Sequence, residues 1–590
     1  MLSDLPSEII YHIAIYLPTA NALTHLSQTC RRLYRIVSAD EYRLFRALVQ
    51  SKFPCIPTPA FWKDAACALT SRSRALDRLG VVGRFVVVPE NITRIGCQQT
   101  TRRDNPTLGY RPAIDSYEIW NGAGWADRKE VLAWGAAHQL VVRVKQSGKR
   151  PRENWILFND LDDVSSYEDI CGVHLLQRES SKETDMEHLM FGRRRGDIIH
   201  LAISPSRGDY EYRKKFKTAG LELDRTDISQ GADSTLSAHF DDGSIAFYNA
   251  ATDDEEVQAS AWIRNESGSL GRSRYSKLLS PSKVAVATGE IENSLSISTL
   301  SPDGIFLERT IDVHSLDIEE RINRVYANVT SIAPVDAHSH TQSPGNIFLA
   351  AWGDHVIRLH DLRSPRSYER TYIDTTDTRN RMYCVHQFGD DRFLAGSSGD
   401  GLVKMFDLRM GRSYNYQEAQ TLHPSSKRNP EYTPNMDFSM FLSANLPPDL
   451  TRHRPRHPRR GRDSYRGPIY SMSTPSPSSP TVYTGVVDGV VRLDFASTDD
   501  LTGPVKGWYD YNLDLGVEKG QPGVAAPEDQ VFRIAGYERP AQDDFTTTSK
   551  LRTQHGYWYM MPNDLENEVV TGWDRRWEPL AKPGAWRRRD

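Results

Sequence analysis

Four stretches of the 590-residue chain repeat one pattern of strands and turns, and this repeat limits the possible folds more than any other feature. Each stretch combines a short strand, a turn built from Gly and Asp, and a further strand that ends in Asp or Asn. In order, they cover residues 236–249, 347–363, 382–409 and 469–494. Asp361 and Asp407 end equivalent strands 46 residues apart, near the ~40–45 residues typical of a propeller blade.

The repeated unit resembles the WD repeat, with His360-Asp361 and Phe406-Asp407 in place of Trp-Asp. Weaker copies at 130–160, 261–300 and 530–577, together with residues 170–250, bring the number of units to about seven. A single four-stranded sheet would expose both edges, whereas radial repetition buries each sheet face against the next. We therefore predict a mainly β fold, a WD-repeat-like propeller of seven blades over residues 81–590.

The acidic residues of the Gly-Asp turns have a structural interpretation. An Asp side chain can accept hydrogen bonds from nearby backbone, and the adjacent Gly supplies a positive φ. These turn residues are Asp242, Asp354, Asp400 and Asp488.

The first 37 residues show helical rather than strand periodicity. Ile9, Ile13 and Leu17 recur at i, i+4 and i+8, and Pro18 ends this first helix. A second apolar stripe contains Leu23, Leu26, Cys30, Leu33 and Val37. Two helices this short cannot bury their own apolar faces. They must therefore pack on another part of the chain or on a partner protein.

This N-terminal segment resembles an F-box, a family that opens with Leu-Pro-x-Glu-Ile/Leu. Here the opening reads Leu5-Pro6-Ser7-Glu8-Ile9, and the later element, a Cys-Arg/Lys pair followed closely by an aromatic residue, reads Cys30-Arg31-Arg32-Leu33-Tyr34, with Tyr34 where Trp is more usual. The resemblance implies binding to the Skp adaptor of cullin-RING ubiquitin ligases, and through it to the cullin scaffold. It assigns the contacts, or the small core behind them, to Leu5, Pro6, Ile9, Ile10, Ile13, Leu17, Leu26 and Tyr34.

The domain organisation follows from these two resemblances. We place the small all-α F-box at residues 1–45 and a helical linker at 46–80, with a helix predicted from Phe61 to Leu79. The propeller follows at 81–590. A Pro-rich and Arg-rich segment at about 411–468 does not fit the repeat and is interpreted as a solvated insertion or, alternatively, as a basic site for an acidic partner or a localisation signal. The Ser-Pro segment 473–480 is interpreted as a mobile surface turn.

Composition argues against several other classes of protein. The net charge of −4 gives no overall indication of nucleic-acid or membrane binding. The six Cys residues form no C-x-x-C pair, which suits a reducing compartment. Asp4 and Glu8 lie where a signal peptide would be basic. We therefore expect a cytoplasmic or nuclear protein with neither a membrane nor a nucleic-acid partner.

The sequence contains no motif that indicates catalysis. A phosphate-binding loop of the G-x-x-x-x-G-K-[ST] type, a G-x-S-x-G elbow and an H-E-x-x-H helix are all absent from it. We therefore expect no cofactor, no bound metal and no enzymatic activity in this chain, whose role would be that of a non-catalytic ligase subunit.

The resulting hypothesis is a substrate receptor of an SCF-type ubiquitin ligase, in which the propeller holds a target protein. Residues beside the Gly-Asp turns are candidates for the target-binding face, with Trp352 as its aromatic anchor; they are Trp352, His355, His239, Ser398 and Val487. Packing between blades is the alternative for each of them.

Two other functions remain open. One is a propeller scaffold whose N-terminal helices pack internally and bind no ligase. The other rests on Trp573-Asp574-Arg575-Arg576, which resembles the short motif of propellers that serve a different cullin adaptor.

Overall fold

The computed structural model describes most of residues 4–579. The residues outside this description are 55, 98, 107–108, 149–150, 178–184, 230–233, 265–273, 317–326, 336–344, 375–376, 378–379, 390, 410–436, 443–466, 516–530, 533, 539–551 and 555–573.

Four helices form the N-terminal part of the chain. They are Ser7–Ile15 (α1), Ala20–Thr29 (α2), Arg31–Lys52 (α3) and Trp62–Asp77 (α4). Helix α1 begins directly after Pro6, and α2 begins where the Thr19 hydroxyl accepts a hydrogen bond from the Ala22 amide at 3.2 Å. The helix predicted at Phe61–Leu79 is confirmed as α4, two residues shorter at its C-terminal end. None of the described helices has the length and apolar character that a membrane crossing requires.

Helix α3 is interrupted in its middle by a left-handed turn. Asp40, Glu41 and Tyr42 have φ values of 49°, 54° and 65°, in a region that L-residues avoid for steric reasons. Helical periodicity resumes beyond this point, where Leu44, Phe45, Leu48 and Val49 are buried against α4. The interruption divides α3 into a part that packs with α1 and α2 and a part that packs with α4.

Strands make up the rest of the described fold, which is mainly β and forms seven blades, as predicted. The chain enters the propeller with Val82–Phe85 (β1). Blade 1 contains Thr93–Gly96 (β2), Ile114–Trp120 (β4), Arg128–Ala136 (β5), Gln139–Gln146 (β6) and Arg152–Asn159 (β7), and the short strands Thr101–Arg102 (β3) and Asp163–Val164 (β8) pair beside it. Blade 2 contains Ile170–Leu176 (β9), Glu187–Arg193 (β10), Ile198–Ile203 (β11) and Tyr210–Phe216 (β12), with Glu256–Val257 (β16) at its edge.

The next three blades have four strands each. Blade 3 contains Leu223–Ile228 (β13), Thr235–Phe240 (β14), Ile245–Asn249 (β15) and Ala261–Ile263 (β17). Blade 4 contains Tyr275–Ser280 (β18), Lys283–Ala287 (β19), Leu295–Ser301 (β20) and Gly304–Ile311 (β21). Blade 5 contains Val329–Pro334 (β22), Ile347–Trp352 (β23), Ile357–Asp361 (β24) and Arg370–Tyr372 (β25).

The last two blades recruit strands from distant parts of the chain. Blade 6 contains Met382–Phe388 (β26), Arg392–Ser397 (β27), Leu402–Asp407 (β28) and Phe438–Phe441 (β29), extended by Ala535–Glu538 (β34), Arg552–Gln554 (β35) and Trp577–Pro579 (β36). Blade 7 contains Ser471–Ser473 (β30), Thr481–Val486 (β31) and Gly489–Asp494 (β32), followed in the sheet by β1 and by Val531–Phe532 (β33).

Strand β1 therefore closes the ring. It lies antiparallel to β32, with Val82 opposite Asp494 and Phe85 opposite Val491. The first strand of the propeller thus completes the last blade, and the ring depends on a pairing between the two ends of the fold.

Helix α4 packs on the propeller beside this closure. It contacts two short helices that follow blade 7, Thr498–Thr502 (α5) and Lys506–Leu513 (α6). The Ser71 hydroxyl donates to Asp500 at 2.5 Å, Arg74 forms an ion pair with the same carboxylate, and the Trp508 indole donates to Asp64 at 3.1 Å. These contacts join the helical region to the propeller through buried and half-buried side chains.

The Gly-Asp turns lie on the face of the propeller that is opposite α4. Asp77 at the end of α4 pairs with Arg392, the first residue of β27, at 3.3 Å. Asp400 lies three residues beyond Ser397, the last residue of the same strand. Because a strand crosses the blade from one face to the other, α4 and the turns lie on opposite faces.

The structure corrects four expectations from the sequence. The described strands within residues 530–577 belong to other blades, since β33 joins blade 7 and β34–β36 extend blade 6. Phe438–Phe441, inside the predicted insertion at 411–468, is the fourth strand of blade 6, while most of that insertion lies outside the described residues. Ser478 and Ser479 are buried, and Arg72 of α4 donates to the Ser479 carbonyl at 3.1 Å, so the Ser-Pro segment is not a mobile surface turn.

The fourth correction concerns the turn geometry. In two turns the Asp itself has a positive φ, which is 61° at both Asp400 and Asp488, and Gly489 of the second turn does not have one. The hydrogen bonds agree with the structural role predicted for the turn carboxylates. Asp242 accepts from the Ser244 amide at 2.8 Å, and Asp488 accepts from the Tyr110 amide at 2.9 Å.

Candidate adaptor-binding surface

One side of α1 presents apolar side chains that no described part of the chain covers. Ile9 and Ile13 are 45% and 40% exposed. Ile10 and Ala14 point the other way and are almost completely buried. Because Ile10 and Ala14 anchor the helix, its outer apolar face is held in a fixed orientation.

The eight residues assigned by the F-box resemblance divide into an exposed group and a supporting group. Pro6, Ile9, Ile13 and Tyr34 are exposed, with Tyr34 at 57%. Ile10 is fully buried, and Leu17 and Leu26 are half-buried against the core that contains Leu23 and Leu44. Leu5 is half-buried, and its carbonyl accepts a hydrogen bond from Arg32 at 2.7 Å.

Two exposed apolar residues were missing from that assignment. Ile15 and Tyr16, at the end of α1, are 43% and 85% exposed. Tyr16 lies seven residues after Ile9 and so continues the stripe formed by Ile9 and Ile13. The helical spacing was the signal that could have identified it.

A groove of about 540 Å³ lies beside Tyr34, where α2 meets α3. Its lining residues are Ser27, Gln28, Cys30, Arg31, Tyr34 and Arg35. Arg31 and Arg35 are exposed, and neither guanidinium has a partner among the described residues. The surface thus combines apolar side chains on α1 and Tyr34 with positive charge at the start of α3.

The predicted target-binding face requires correction at two positions. Trp352 is completely buried and its indole faces His360, with Nε1 to Nε2 at 3.4 Å, so it cannot serve as an exposed anchor. His239 is also buried, with its Nδ1 at 3.0 Å from the Ser276 hydroxyl. Trp352 therefore packs inside its own blade, and His239 of blade 3 packs against blade 4. His355, Ser398 and Val487 are half-buried near the turns, and Ser398 accepts from the Arg381 amide at 3.1 Å.

The C-terminal motif is buried in its described part. The Arg576 amide and Nε donate to the Asp574 carboxylate at 3.0 and 2.7 Å, and Arg576 also donates to the Ala496 carbonyl at 2.6 Å. Neighbouring Arg576 lowers the pKa of Asp574 against the opposing effect of burial. Trp573 lies outside the described residues. Because Arg576 is only 1% exposed, it is not available to a second cullin adaptor.

The part of the chain that the structure describes contains no group of three or more His, Cys, Asp or Glu side chains arranged to hold a metal ion.

Comparison with known proteins gives one family match. The family model described as "F-box-like" matches residues 2–51. Among solved structures, the chain is similar to Saccharomyces cerevisiae Sqt1, at 14% sequence identity, with 62% of this chain and 81% of that chain covered and a TM-score of 0.36. No curated protein matches the sequence.

The family match covers α1, α2 and nearly all of α3, including the exposed side of α1 and the groove beside Tyr34. It confirms the F-box resemblance seen in the sequence. The chain therefore joins an F-box-like domain at residues 2–51 to a seven-bladed β-propeller.

Proposed function

We propose that this protein is the substrate-recognition subunit of an SCF-type ubiquitin ligase. The F-box-like domain binds the Skp adaptor, as F-box domains generally do, and the adaptor connects it to the cullin scaffold. The propeller binds a target protein. The observation that carries the proposal is the uncovered apolar side of α1 within the matched F-box-like segment.

The energetics of this surface favour a protein partner. Burying an Ile side chain fully is worth about 2–3 kcal/mol, so completing the burial of a half-exposed Ile contributes roughly 1 kcal/mol. Ile9, Ile13, Tyr16 and Tyr34 together offer several such contributions. Clustered exposed apolar residues of this kind mark interaction sites on soluble proteins.

The charge on this surface indicates an acidic partner surface. Arg31 and Arg35 flank Tyr34 without a partner among the described residues. Opposite charges across an interface speed association, and added salt weakens their attraction. The complex should therefore associate more slowly at high ionic strength.

The chain itself would contribute proximity rather than chemistry. An F-box joined to a propeller is an architecture typical of non-catalytic adaptor proteins. Holding a target near the charged ubiquitin carrier raises the effective concentration of the target lysine. The target would bind the face that carries the Gly-Asp turns, since α4 occupies the opposite face. Such a complex would act in the cytoplasm or the nucleus.

The test is a binding measurement between the full chain and the purified Skp adaptor. Ile9→Ala combined with Ile13→Ala removes about 2 kcal/mol of apolar burial and is expected to weaken binding about 30-fold. Leu5→Ala combined with Pro6→Ala should also abolish capture of the adaptor. The matched control is Phe306→Ala with Leu307→Ala, which removes two exposed apolar residues from β21 of blade 4.

Adaptor binding that is lost in the α1 variants and kept in the control supports the proposal. Wild-type protein that does not bind the adaptor would refute it and leave a propeller scaffold as the function. The scaffold alternative also predicts that the α1 variants lose stability, so thermal unfolding of each variant is measured alongside binding.

A further inference from the structure

A small polar cavity lies on the outer part of blade 1, outside the F-box-like domain. Its volume is about 210 Å³, and Arg94, His138 and Gln139 are among the residues that line it. His138 lies in the turn between β5 and β6, Gln139 begins β6, and Arg94 lies on β2. The volume equals that of roughly seven liquid waters, which suits a small ion or group rather than a drug-sized ligand.

The walls of the cavity are fixed by close backbone packing. Strand β2 lies parallel to β7, and Gly96, with φ of 89°, brings the chain so close that a Cβ atom there would lie 2.1 Å from the Asn159 carbonyl oxygen. The Cys97 amide donates to that carbonyl at 2.6 Å. The Asn159 side chain donates to the Thr100 hydroxyl at 2.7 Å and to the Leu161 carbonyl at 2.9 Å. The Asn159 side of the cavity is therefore fully hydrogen-bonded.

The other side of the cavity has hydrogen-bonding capacity that remains unused. Among the described residues, neither the Arg94 guanidinium nor the Gln139 amide has a side-chain partner, although Arg94 is exposed and can be hydrated. Both ring nitrogens of His138 are buried and lack a hydrogen bond within the described part of the chain. Leaving a buried polar group unsatisfied is costly, and such a group in a native protein indicates a bound water or ion.

The charged residues around the cavity indicate whether a bound ion would be an anion or a cation. Arg94 is the one charged residue in the described lining, which contains no carboxylate. Burial lowers the pKa of His138, and the nearby positive charges of Arg102 and Arg193 lower it further, against the weaker opposing effect of Glu168. The neutral imidazole can still donate one hydrogen bond.

Cysteine chemistry does not explain the cavity. The Cys97 thiol donates to the Asp162 carboxylate at 2.8 Å, and this hydrogen bond raises the pKa of Cys97. A thiol whose pKa is raised is a poor nucleophile and a poor metal ligand at neutral pH. The cavity is therefore better suited to non-covalent binding than to a reaction.

We propose that this cavity is a binding site for a small oxyanion, the phosphate or carboxylate group of a ligand. Arg94 supplies the charge, and Gln139 and His138 supply further donors. The proposal does not depend on the adaptor-binding function.

The test is isothermal titration calorimetry on the full chain, with sodium phosphate in one arm and sodium acetate in the other, at an ionic strength held constant with sodium chloride. A charge-assisted hydrogen bond contributes about 1.5–3 kcal/mol, so Arg94→Gln should weaken binding at least tenfold. His138→Phe should weaken it by a smaller factor. The matched control is Arg152→Gln, an exposed arginine on the neighbouring strand β7 that does not line the cavity.

Saturable binding of either anion that Arg94→Gln weakens and Arg152→Gln leaves unchanged supports the proposal, and the arm that binds identifies the preferred group. Absence of saturable binding by the wild-type protein in both arms, or equal binding by Arg94→Gln, overturns it. Adaptor binding is measured on the same variants and should not change, so failure of the cavity proposal is distinguishable from failure of the ligase proposal.

Discussion

The left-handed turn inside α3 predicts that replacing one of its residues with glycine stabilises the protein, whereas glycine normally destabilises a helix. Glu41 has φ of 54° and lies between two other residues with positive φ, and its side chain is exposed without a partner among the described residues. A left-handed conformation costs a non-glycine residue about 1–2 kcal/mol, whereas glycine adopts it freely. Subtracting the larger entropy of glycine in the unfolded chain leaves a net stabilisation of roughly 0.5–1 kcal/mol for Glu41→Gly.

The matched variant is Gln50→Gly in the right-handed part of the same helix. Gln50 is also exposed, and glycine there should destabilise the helix by about 0.5–1 kcal/mol, as in ordinary helix interiors. The same replacement residue is thus expected to act in opposite directions nine positions apart. The calculation involves only backbone conformation, because neither side chain contributes a buried contact.

Hydrogen–deuterium exchange measured by mass spectrometry on peptides from 31–52 reports the free energy of local opening. Glu41→Gly should slow exchange two- to fivefold, and Gln50→Gly should accelerate it by a similar factor. If both variants accelerate exchange equally, α3 is a continuous right-handed helix and the reasoning is refuted.

Three further predictions concern the propeller. The His360 imidazole is buried, its Nδ1 donates to the Ser367 carbonyl at 2.6 Å, and burial lowers its pKa to about 3. Because the unfolded chain takes up this proton at a pKa of about 6.5, the free energy of unfolding should fall by about 2 kcal/mol between pH 7 and pH 5. Urea unfolding at the two pH values should show a smaller fall in His360→Asn. Trp352→Ala should destabilise the protein by about 3–5 kcal/mol in urea unfolding and leave adaptor binding unchanged, because Trp352 fills the interior of blades 4 and 5. Weaker adaptor binding by Trp352→Ala would contradict a purely structural role for Trp352. Gly83→Pro places a proline inside the ring-closing strand β1, between β32 and β33, and should lower the midpoint of thermal unfolding, whereas Ala60→Pro in the exposed segment before α4 should not.

The parts of the fold with local sequence signals were predictable. Gly-Asp turns fix where strands reverse, so the four clear repeats coincide with strands of blades 3, 5, 6 and 7. The helical spacing of Ile9 and Ile13 placed both residues on the face that the structure exposes. In each case a few neighbouring residues determine the conformation.

Burial on the propeller was not predictable from the same patterns. Alternation along a strand assigns side chains to two faces, but both faces of a blade pack against other blades. The position of Trp352 beside a turn therefore did not reveal that its indole is buried next to His360, in a cluster that also contains Phe348. For this reason, the prediction that Trp352 and His239 are exposed on the target-binding face was wrong.

Contacts between distant segments left no local signal. Nothing in residues 82–85 indicates a pairing with 491–494, and the Ser-Pro segment reads as a surface turn until α4 is placed against it. The left-handed turn of α3 contains no glycine, the residue that would normally mark such a conformation.

The ring closure by β1 sets an order of events during protein synthesis. Strand β1 leaves the ribosome early, but its partner β32 is made about 400 residues later. At about 5–20 residues per second, this interval is on the order of 20–80 s. The F-box-like domain precedes β1, so all of its residues leave the ribosome before the propeller can close. Under the proposed ligase function, the adaptor would then meet its binding segment before the target-binding face is complete, and the order of subunit assembly would follow from the position of a single four-residue strand.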